Sequence, residues 1–416
     1  MRVLWITNII LPEATAKLSG DKEIKGSGGW LVGASETLAK TEGVELFVAS
    51  VTNFVKDLEC IKGKYVIHYA LPLCGGNTKE NIKYDPFWEK IYEEVKPDVV
   101  HIHGTEFSHA LSYLNVCGNK NVVVSVQGLT SVISKYYLGG LSKRDILLNV
   151  TLRDILRGTL LQDANKFKQR GEYEVAILSK VHHIIGRTRW DKSHIWAINP
   201  QAKYHPCNET LRPEFYEHYN WNYDSCKKHS IFLSQAFYPL KGLHMLFRAM
   251  PLVLREFPDV SIRIAGPDIT KNKRLVEKIK LSGYGKILRS LLRNYGLIDK
   301  VQFTGNLSAS QMRDEYLKCN VFICPSSIEN SPNSLGEAQI LGTPIIASYV
   351  GGIPDMMKGD ESHLYRYDDV EELANLICQV FYSEDTQTDM KQMALERHSP
   401  TKNCTRLMEI YKSIMN

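Results

Sequence analysis

The chain has 416 residues, of which 44% are hydrophobic and 23% charged, with a formal net charge of +5 and a mean hydropathy of −0.23. These values exclude wholesale disorder, and no apolar run approaches the ~18 residues that a membrane-spanning helix needs. Nine scattered cysteines without a C-x-x-C pair argue against a zinc cluster or a disulfide framework and fit a reducing cytoplasm. At roughly 100–200 residues per domain, the length predicts two domains.

Short apolar runs alternate with helical periodicity along the chain. The first series of predicted strands is Val3–Thr7, Val44–Val51, Val99–His103, Val122–Val126 and His182–Gly186. The second series is Ile231–Ser234, Ser261–Ala265, Val301–Thr304, Val321–Cys324 and Pro344–Ser348. Strands that alternate with helices form βαβ units and parallel sheets covered on both faces. Two doubly wound domains are therefore predicted, with a break near residues 219–225. The first run could instead open a short signal peptide, but Thr7 and Asn8 interrupt it, which favours a buried strand.

A basic segment stands out at residues 135–192, where twelve Lys/Arg and six Asp/Glu give a net charge of +6. Within it, apolar residues recur at helical spacing: Leu148, Leu152, Ile155, Leu156 and Leu160. Apolar stripes usually mean core, which favours a helix packed on the first domain. The alternative is a basic amphipathic lid at a membrane surface, near a lipid-linked acceptor. The charge excess is too small to suggest nucleic acid.

The most informative segment runs from Cys324 to Ala338, after a predicted buried strand. It places Glu329 in a loop and Glu337 in the first turn of a helix. Ser334-x-x-Glu337 also has the form of a capping box, so Glu337 could serve only to cap that helix. Open α/β sheets bind ligands at the carboxyl ends of their strands, where helix amides attract phosphate. Because a carboxylate can hold a vicinal diol with both oxygens, two carboxylates flanking a phosphate site suit a nucleotide-sugar.

Further motifs follow Glu329-x7-Glu337, namely Gly342-Thr343-Pro344 and Gly351-Gly352-Ile353-Pro354-Asp355. Together they resemble the donor-site signature of glycosyltransferase family four, of the bacterial surface-polysaccharide type. The resemblance implies a retaining enzyme with the α/β GT-B fold, in which two doubly wound Rossmann-like domains face each other across a cleft. It is strongest over residues 230–416 and looser over residues 1–220.

The resemblance assigns roles to matching positions. Glu329 would hold the hydroxyls of the donor sugar, Glu337 the ribose of the nucleotide, and Lys241 the diphosphate. The backbone amides of Ser334, Leu335 and Gly336 would face the donor phosphate or sugar. A lysine at a helix start opposes the helix dipole unless an anion is present, which agrees with this role for Lys241. A solvated surface lysine is the alternative.

The first half of the chain also contains candidates. Gly28 and Gly29 open the predicted helix Trp30–Lys40, and the resemblance turns them toward the donor diphosphate, although a flexible loop is the simpler interpretation. His103 ends a strand and shares a face with His101. Isolated histidines of this kind are more often core or surface residues, but the resemblance makes His103 a candidate on the acceptor side.

Two positions depart from the family pattern. Family members commonly carry an Arg where this chain has Ala236, so the diphosphate would lose a bidentate cation, for which Arg187 and Arg189 are candidate substitutes. They also often carry a His where this chain has Gln127. A glutamine donates and accepts hydrogen bonds but does not titrate, so Gln127 would orient a sugar hydroxyl and not act as a base.

The resemblance implies a hexosyltransferase that moves a sugar from a nucleoside-diphosphate sugar to a glycan or lipid-linked acceptor. No D-x-D triplet occurs, so neither a metal nor another cofactor is expected. The resemblance implies that the acceptor attacks from the leaving-group side and that the departing phosphate takes its proton. We expect a cytoplasmic protein at the inner face of a membrane, with peripheral contact through residues 135–192.

The predicted domains are an N-terminal acceptor-side domain over residues 1–222, a C-terminal donor-binding domain over 223–396, and a helix over 397–416 that crosses back to the first domain. Two other functions stay open. Ala236 and Gln127 would fit a catalytically inactive nucleotide-sugar-binding protein. A twin-Rossmann NAD-dependent oxidoreductase fits less well, because Gly26-x-Gly28-x-x-Leu31 lacks the third glycine of the dinucleotide motif.

Overall fold

The computed structural model describes residues 1–20, 29–74, 82–272, 274–383 and 390–416. Its internal contacts divide the chain into two compact units. The first unit contains Met1–Ser131, Gln169–Arg212 and Glu396–Asn416, and the second contains Val132–Lys168 and Pro213–Leu395.

The first unit is built on an eight-stranded sheet. Its strands are β1 (Arg2–Thr7), β2 (Glu45–Thr52), β3 (Glu59–Lys62), β4 (Val66–Pro72), β5 (Val99–His103), β6 (Val122–Ser125), β7 (His183–Gly186) and β8 (Lys203–Pro206). Their order is β3-β4-β2-β1-β5-β6-β7-β8, and all neighbours are parallel except the antiparallel pair β3–β4. The central strands β1 and β5 are almost wholly buried, as strands covered on both faces must be.

The second unit is built on a six-stranded, fully parallel sheet. Its strands are β9 (Lys227–Leu233), β10 (Ser261–Ile264), β11 (Val301–Phe303), β12 (Cys319–Cys324), β13 (Ile345–Ser348) and β14 (Leu364–Tyr365). Their order is β11-β10-β9-β12-β13-β14. Both units are therefore doubly wound Rossmann-like α/β sheets, which confirms the predicted fold class of each.

The helices connect these strands. In chain order they are α1 (Pro12–Ser19), α2 (Gly29–Ala39), α3 (Asp85–Val95), α4 (Ser108–Val116), α5 (Thr130–Ile133), α6 (Lys143–Leu148), α7 (Leu152–Arg157), α8 (Leu160–Leu178), α9 (Arg189–Ile198), α10 (Leu243–Glu256), α11 (Leu275–Lys280), α12 (Gly283–Asn294), α13 (Ala309–Lys318), α14 (Asn333–Leu341), α15 (Ile353–Met356), α16 (Val370–Tyr382), α17 (Met390–Arg397) and α18 (Pro400–Met415). Single 3-10 turns lie at Ile82–Tyr84, Ser134–Tyr136, Pro213–Phe215, Pro239–Lys241 and Glu361–His363. Among the described residues, no helix has the length and apolar character that crossing a bilayer requires.

The domain prediction needs correction at residues 132–168 and 213–222, which belong to the second unit and not to the first. Leu141 and Ile146 are buried in the core of the second unit, among residues of α10 and α12. Trp221 is also buried there, where its indole Nε1 donates to the carbonyl of Cys319 at 2.7 Å. These apolar contacts assign both segments to the second unit, although the first of them lies far from it in the chain.

The prediction of one helix packed on the first domain over residues 148–160 is also wrong. The chain there forms three helices, α6, α7 and the start of α8, and Gly158 at φ 108° follows α7. Leu148, Leu152, Ile155 and Leu156 are exposed, while the buried positions are Ile146 and Asp154. The apolar stripe therefore does not face the core.

Candidate functional site

The candidate site of the second unit lies at the topological switch point of its sheet. Chain order reverses between the adjacent strands β9 and β12, and the crevice outside the carboxyl ends of such strands is where doubly wound sheets bind ligands. The segment after β9 contains Lys241, and the loop after β12 contains Glu329. Lys241 and Glu329 are 88 positions apart in the sequence, and the parallel sheet brings them together.

Lys241 and Glu329 form an ion pair at this point. The Nζ of Lys241 donates to Oε1 of Glu329 at 2.5 Å, and the two side chains are 16% and 14% exposed. Burial alone would lower the pKa of Lys241, but the neighbouring carboxylate of Glu329 raises it overall. The pair thus places a cation and an anion side by side at the switch point, and both side chains are partly exposed.

Ser326 is a further member of the site that sequence reasoning missed. Its Oγ donates to Oε1 of Glu329 at 2.8 Å, so the carboxylate is held from two sides. In the sequence, Ser326 precedes Glu329 by three residues, a spacing at which the serine hydroxyl can donate to a carboxylate in the same loop.

Two glycines of the recognised motifs let the backbone close around this carboxylate. Gly242 has φ 71°, and a Cβ there would lie 1.6 Å from the carbonyl oxygen of Pro325. Gly351 has φ 54°, and a Cβ there would lie 1.9 Å from the carbonyl oxygen of Glu329. The amide of Gly352 donates to that same carbonyl at 3.0 Å. The Lys-Gly and Gly-Gly motifs therefore shape the loop of Glu329 through the backbone.

The predicted capping box at Ser334 is wrong. The helix α14 begins at Asn333, its N-cap is Pro332, and no side chain caps it. Glu337 lies one turn further in, is 4% exposed, and accepts a long 3.5 Å hydrogen bond from the Tyr316 hydroxyl. Because Glu337 does not cap the helix, that explanation of its presence is removed.

The amino end of α14 offers fewer amides than predicted. The amides of Leu335 and Gly336 already donate to the Pro332 carbonyl, at 3.0 and 3.4 Å. In the part of the chain that the structure describes, the amide of Ser334 has no such backbone partner. Nearby, the buried Oδ1 of Asn333 also has no hydrogen-bond partner among the described residues. An unpartnered buried acceptor is costly, so this position favours a ligand hydroxyl or a water.

The segment after Val132 packs directly on the site, which the sequence did not predict. The hydroxyl of Ser327 donates to the Tyr136 carbonyl at 2.9 Å, and the carbonyl of Gly139 accepts from His244 Nε2 at 2.7 Å. The ring of Tyr137 stacks on that of Tyr238, with centroids 6.1 Å apart. Residues 136–139 thus border the turn that contains Lys241.

Arg187 does not replace the arginine that family members commonly carry at the position of Ala236. Ala236 is buried at the position in question. Arg187, in the first unit, is 4% exposed, and its guanidinium binds Glu209 at 2.6 Å and the carbonyls of Val126 and Gln127 at 3.0 and 2.5 Å. A guanidinium engaged in this way is not available to a diphosphate. Its bonds instead fix the backbone at Gln127.

The remaining predicted residues lie in the first unit. Gly29 is the first residue of α2, where a Cβ would meet the Arg212 side chain at 2.9 Å, and Gly28 lies outside the described residues. Gln127 is partly buried after β6. His103 is buried at the end of β5, stacked on His101 with ring centroids 3.7 Å apart.

His103 is poorly suited to act as a base. Among the described residues neither of its ring nitrogens has a hydrogen-bond partner, and burial lowers its pKa to about 3. It borders a cavity of about 60 Å³ that is also lined by Trp5, Trp30 and Cys404. Apolar side chains such as Trp5 and Trp30 form much of the lining, so the cavity offers the imidazole few protein partners.

This burial predicts a pH dependence of stability. The pKa of His103 is about 3 in the folded chain and about 6.5 when unfolded, so the unfolded state binds the proton first as the pH falls. The stability present above pH 6.5 should therefore decrease by about 2 kcal/mol between pH 7 and pH 5 through this residue alone. Urea unfolding at both pH values measures it, and His103→Phe should lessen the decrease. An equal decrease in that variant would contradict the assignment.

The second half of the chain resembles a known protein family. Residues 222–397 match the family model described as "Glycosyl transferases group 1". The similarity to this family is thus confined to the second half of the chain. The matched residues include Lys241, Glu329 and Glu337, and therefore the whole candidate site of the second unit.

Curated relatives are similar over limited lengths. A D-inositol 3-phosphate glycosyltransferase of Corynebacterium urealyticum is 26% identical over 182 residues, which cover 42% of this chain and 41% of that protein. One from Streptomyces scabiei is 33% identical over 118 residues, or 28% of this chain and 25% of the relative. The chain thus spans less than half the length of these relatives. The Bacillus subtilis protein YtcC, named as a glycosyltransferase, is 22% identical over 81% of this chain and 80% of its own.

Solved structures share the fold over the full length. Sucrose-phosphate synthase from Thermosynechococcus elongatus has a TM-score of 0.70 at 17% identity, covering 100% of this chain and 99% of its own. Anabaena HepE, solved in complex with UDP and glucose, has a TM-score of 0.64 at 14% identity, covering 99% and 100%. The region that matches the group 1 family model therefore lies within a chain of GT-B fold.

Proposed function

We propose that the protein is a retaining glycosyltransferase that moves a hexose from a nucleoside-diphosphate sugar to a glycan or lipid-linked acceptor. The observation that carries this proposal is the Lys241–Glu329 pair at the switch point of a unit that matches the group 1 family model. One fixed cation and one fixed carboxylate 2.5 Å apart match the two chemical parts of such a donor, its phosphates and its sugar hydroxyls.

The donor would replace the contact between the two side chains. Lys241 would turn to the diphosphate, and Glu329, still held by Ser326, would accept hydrogen bonds from the sugar hydroxyls. The amino end of α14, with the Ser334 amide and the unpartnered Oδ1 of Asn333, would supply further polar contacts. Glu337, one turn further along, would accept from the ribose.

The leaving nucleotide would be UDP in our proposal. HepE was solved in complex with UDP and glucose, and trehalose-6-phosphate synthase of E. coli with UDP-2-fluoro glucose, each on the same fold as this chain. That likeness supports a UDP-sugar as the first donor to test.

No protein base is included in the proposed reaction. His103, with its pKa lowered to about 3, has little driving force to take a proton near neutral pH, and Gln127 does not titrate. The departing phosphate would instead take the proton of the acceptor hydroxyl as the new glycosidic bond forms on the same face. We also propose that neither a metal nor another cofactor takes part, since the sequence has no D-x-D triplet.

The acceptor side of the proposal includes a membrane. We place the protein at the cytoplasmic face of a bilayer, in peripheral contact through the basic segment 135–192. Its nine cysteines are all free thiols, which fits a reducing compartment. A glycan built on a lipid carrier would be accessible from this position.

An inactive nucleotide-sugar-binding protein is the second candidate. The buried Ala236 removes the family's bidentate cation, which would weaken stabilisation of the leaving diphosphate more than it weakens ground-state binding. Release of free UDP upon addition of an acceptor distinguishes transfer from binding alone.

A thermal-shift panel of nucleotide-sugars tests donor binding. At about 100 times its dissociation constant, the cognate donor should raise the melting temperature of the second unit by about 5–10 °C. Glu337→Ala should reduce this shift, because the ribose loses an acceptor. NAD serves as the control ligand. A shift with NAD and with no nucleotide-sugar would overturn the proposal.

A further inference from the structure

The surface of α6 and α7 displays an unusual group of apolar side chains. Leu147, Leu148, Leu152, Ile155 and Leu156 are 63–78% exposed, and we call them the aliphatic patch. Single exposed leucines are ordinary on protein surfaces, but five within ten residues of sequence are not. Such a patch marks a surface that meets an apolar partner.

Buried hydrogen bonds and core packing on the other side of α6 and α7 keep the aliphatic patch exposed to solvent. The carboxylate of Asp154 is buried on the opposite side of α7 and accepts from the Gly283 amide at 2.8 Å and from the Thr151 amide at 3.1 Å. The Thr151 hydroxyl donates to the Leu281 carbonyl at 2.8 Å. On α6, Ile146 lies in the core of the second unit. On α7 the buried group is thus a carboxylate and the leucines face outward, which is the reverse of an ordinary amphipathic helix.

The segment that contains the aliphatic patch is basic. Residues 132–168 carry seven Lys/Arg and three Asp/Glu, a net charge of +4. Lys143, Arg144 and Arg157 are exposed on the same two helices, whereas Asp154 is buried. Exposed aliphatic and cationic side chains on the same two helices are complementary to a bilayer with anionic headgroups.

We infer that the aliphatic patch inserts into the interface of an anionic bilayer and fixes the donor-binding unit to the membrane surface. This deepens the proposed function by replacing the broad segment 135–192 with one docking surface on the second unit and by naming the lipid charge. Residues 136–139 of the same segment border the turn of Lys241, so the docked segment lies beside the donor site.

Two other occupants fit less well. Protein interfaces concentrate Tyr, Trp and Arg at their centres, whereas the aliphatic patch consists only of Leu and Ile. In a symmetric dimer the same surface meets itself, so Arg144 and Arg157 would approach their own copies. The like charges would oppose such a contact.

The test is co-sedimentation of the full chain with vesicles, without any donor. The chain should bind vesicles of phosphatidylcholine mixed with phosphatidylglycerol and bind pure phosphatidylcholine more weakly. Leu152→Gln with Leu156→Gln should reduce partition onto both kinds by about tenfold or more. Arg144→Gln with Arg157→Gln should reduce only the additional binding to the anionic vesicles.

Matched controls come from the same unit. Ile298→Gln removes a 58% exposed isoleucine elsewhere, and Lys318→Gln an exposed lysine on α13, and both should bind as the unaltered chain does. Failure of the unaltered chain to bind either vesicle, or unchanged binding by the double leucine variant, would overturn the inference. The inference would also be overturned if the chain bound no vesicles but formed a dimer in solution that the double leucine variant abolishes. Because the vesicle experiment contains no donor, its result does not depend on whether any nucleotide-sugar binds. Absence of vesicle binding would likewise not contradict sugar transfer.

Discussion

Glu329→Ala is expected to lower kcat/KM for sugar transfer by about 10²- to 10³-fold or more, if the proposed function holds. The carboxylate is the only acceptor that the site offers within 2.5–2.8 Å of both Lys241 Nζ and Ser326 Oγ among the described residues. Removing it releases the lysine and deprives the donor hydroxyls of their acceptor. Steady-state transfer from the donor identified by thermal shift measures the loss.

The isosteric Glu329→Gln separates charge from shape. It keeps the size of the side chain and one acceptor oxygen but loses the attraction to Lys241, so an intermediate loss is expected. Glu315→Ala is the matched control, because Glu315 forms a 2.6 Å ion pair with Arg263 in the same unit, outside the candidate site. That variant should lose stability and keep its kcat/KM. Equal activity of Glu329→Ala and the unaltered chain would remove Glu329 from the site.

The sequence predicted ten strands and missed four, three of which lie at sheet edges in the described structure. All ten predicted strands correspond to observed strands such as β5, because buried parallel strands leave continuous apolar runs. The unpredicted strands are β3, β4, β8 and β14. The edge strands β3 and β8 are short and mostly exposed, β14 has two residues, and β4 ends at Pro72. Their pairing is set by the neighbouring strand more than by their own composition.

The observed ion pair of Glu329 with Lys241 shows what the sheet topology adds to the sequence motifs. Neither residue indicates the other by spacing, but both follow strands that a doubly wound order places side by side. Glu337 shows the opposite case. The Ser-x-x-Glu pattern predicted an N-cap at Ser334, two residues after the observed N-cap. Pro332 already provides the extended backbone that starts α14.

Residues 132–168 could not have been assigned from their sequence. Apolar periodicity indicates that one face of a helix is more apolar than the other, but it does not indicate whether the apolar face is buried. Here a carboxylate, Asp154, is among the buried groups because it receives the amides of Thr151 and Gly283, and the leucines are outside. The residues that fix this choice lie about 130 positions away, beyond any local pattern.

Gly242→Ala is expected to reduce the stability of the second unit by about 3 kcal/mol or more and to weaken donor binding. Two effects add at this position. The backbone has φ 71°, a left-handed conformation that costs an L-residue about 1–2 kcal/mol. The new Cβ would also lie 1.6 Å from the Pro325 carbonyl oxygen, so the loop of Ser326 and Glu329 or the turn of Lys241 must shift.

Gly342→Ala isolates the first of these effects. Gly342 has nearly the same φ, 73°, in the same unit, but no atom lies within 4 Å of the position its Cβ would take. It should therefore cost about 1–2 kcal/mol and leave the donor thermal shift unchanged. Urea unfolding of both variants, with and without the donor, measures the difference. If the two alanines destabilise equally and bind donor equally, the close approach of Gly242 to Pro325 does not position Lys241 and Glu329.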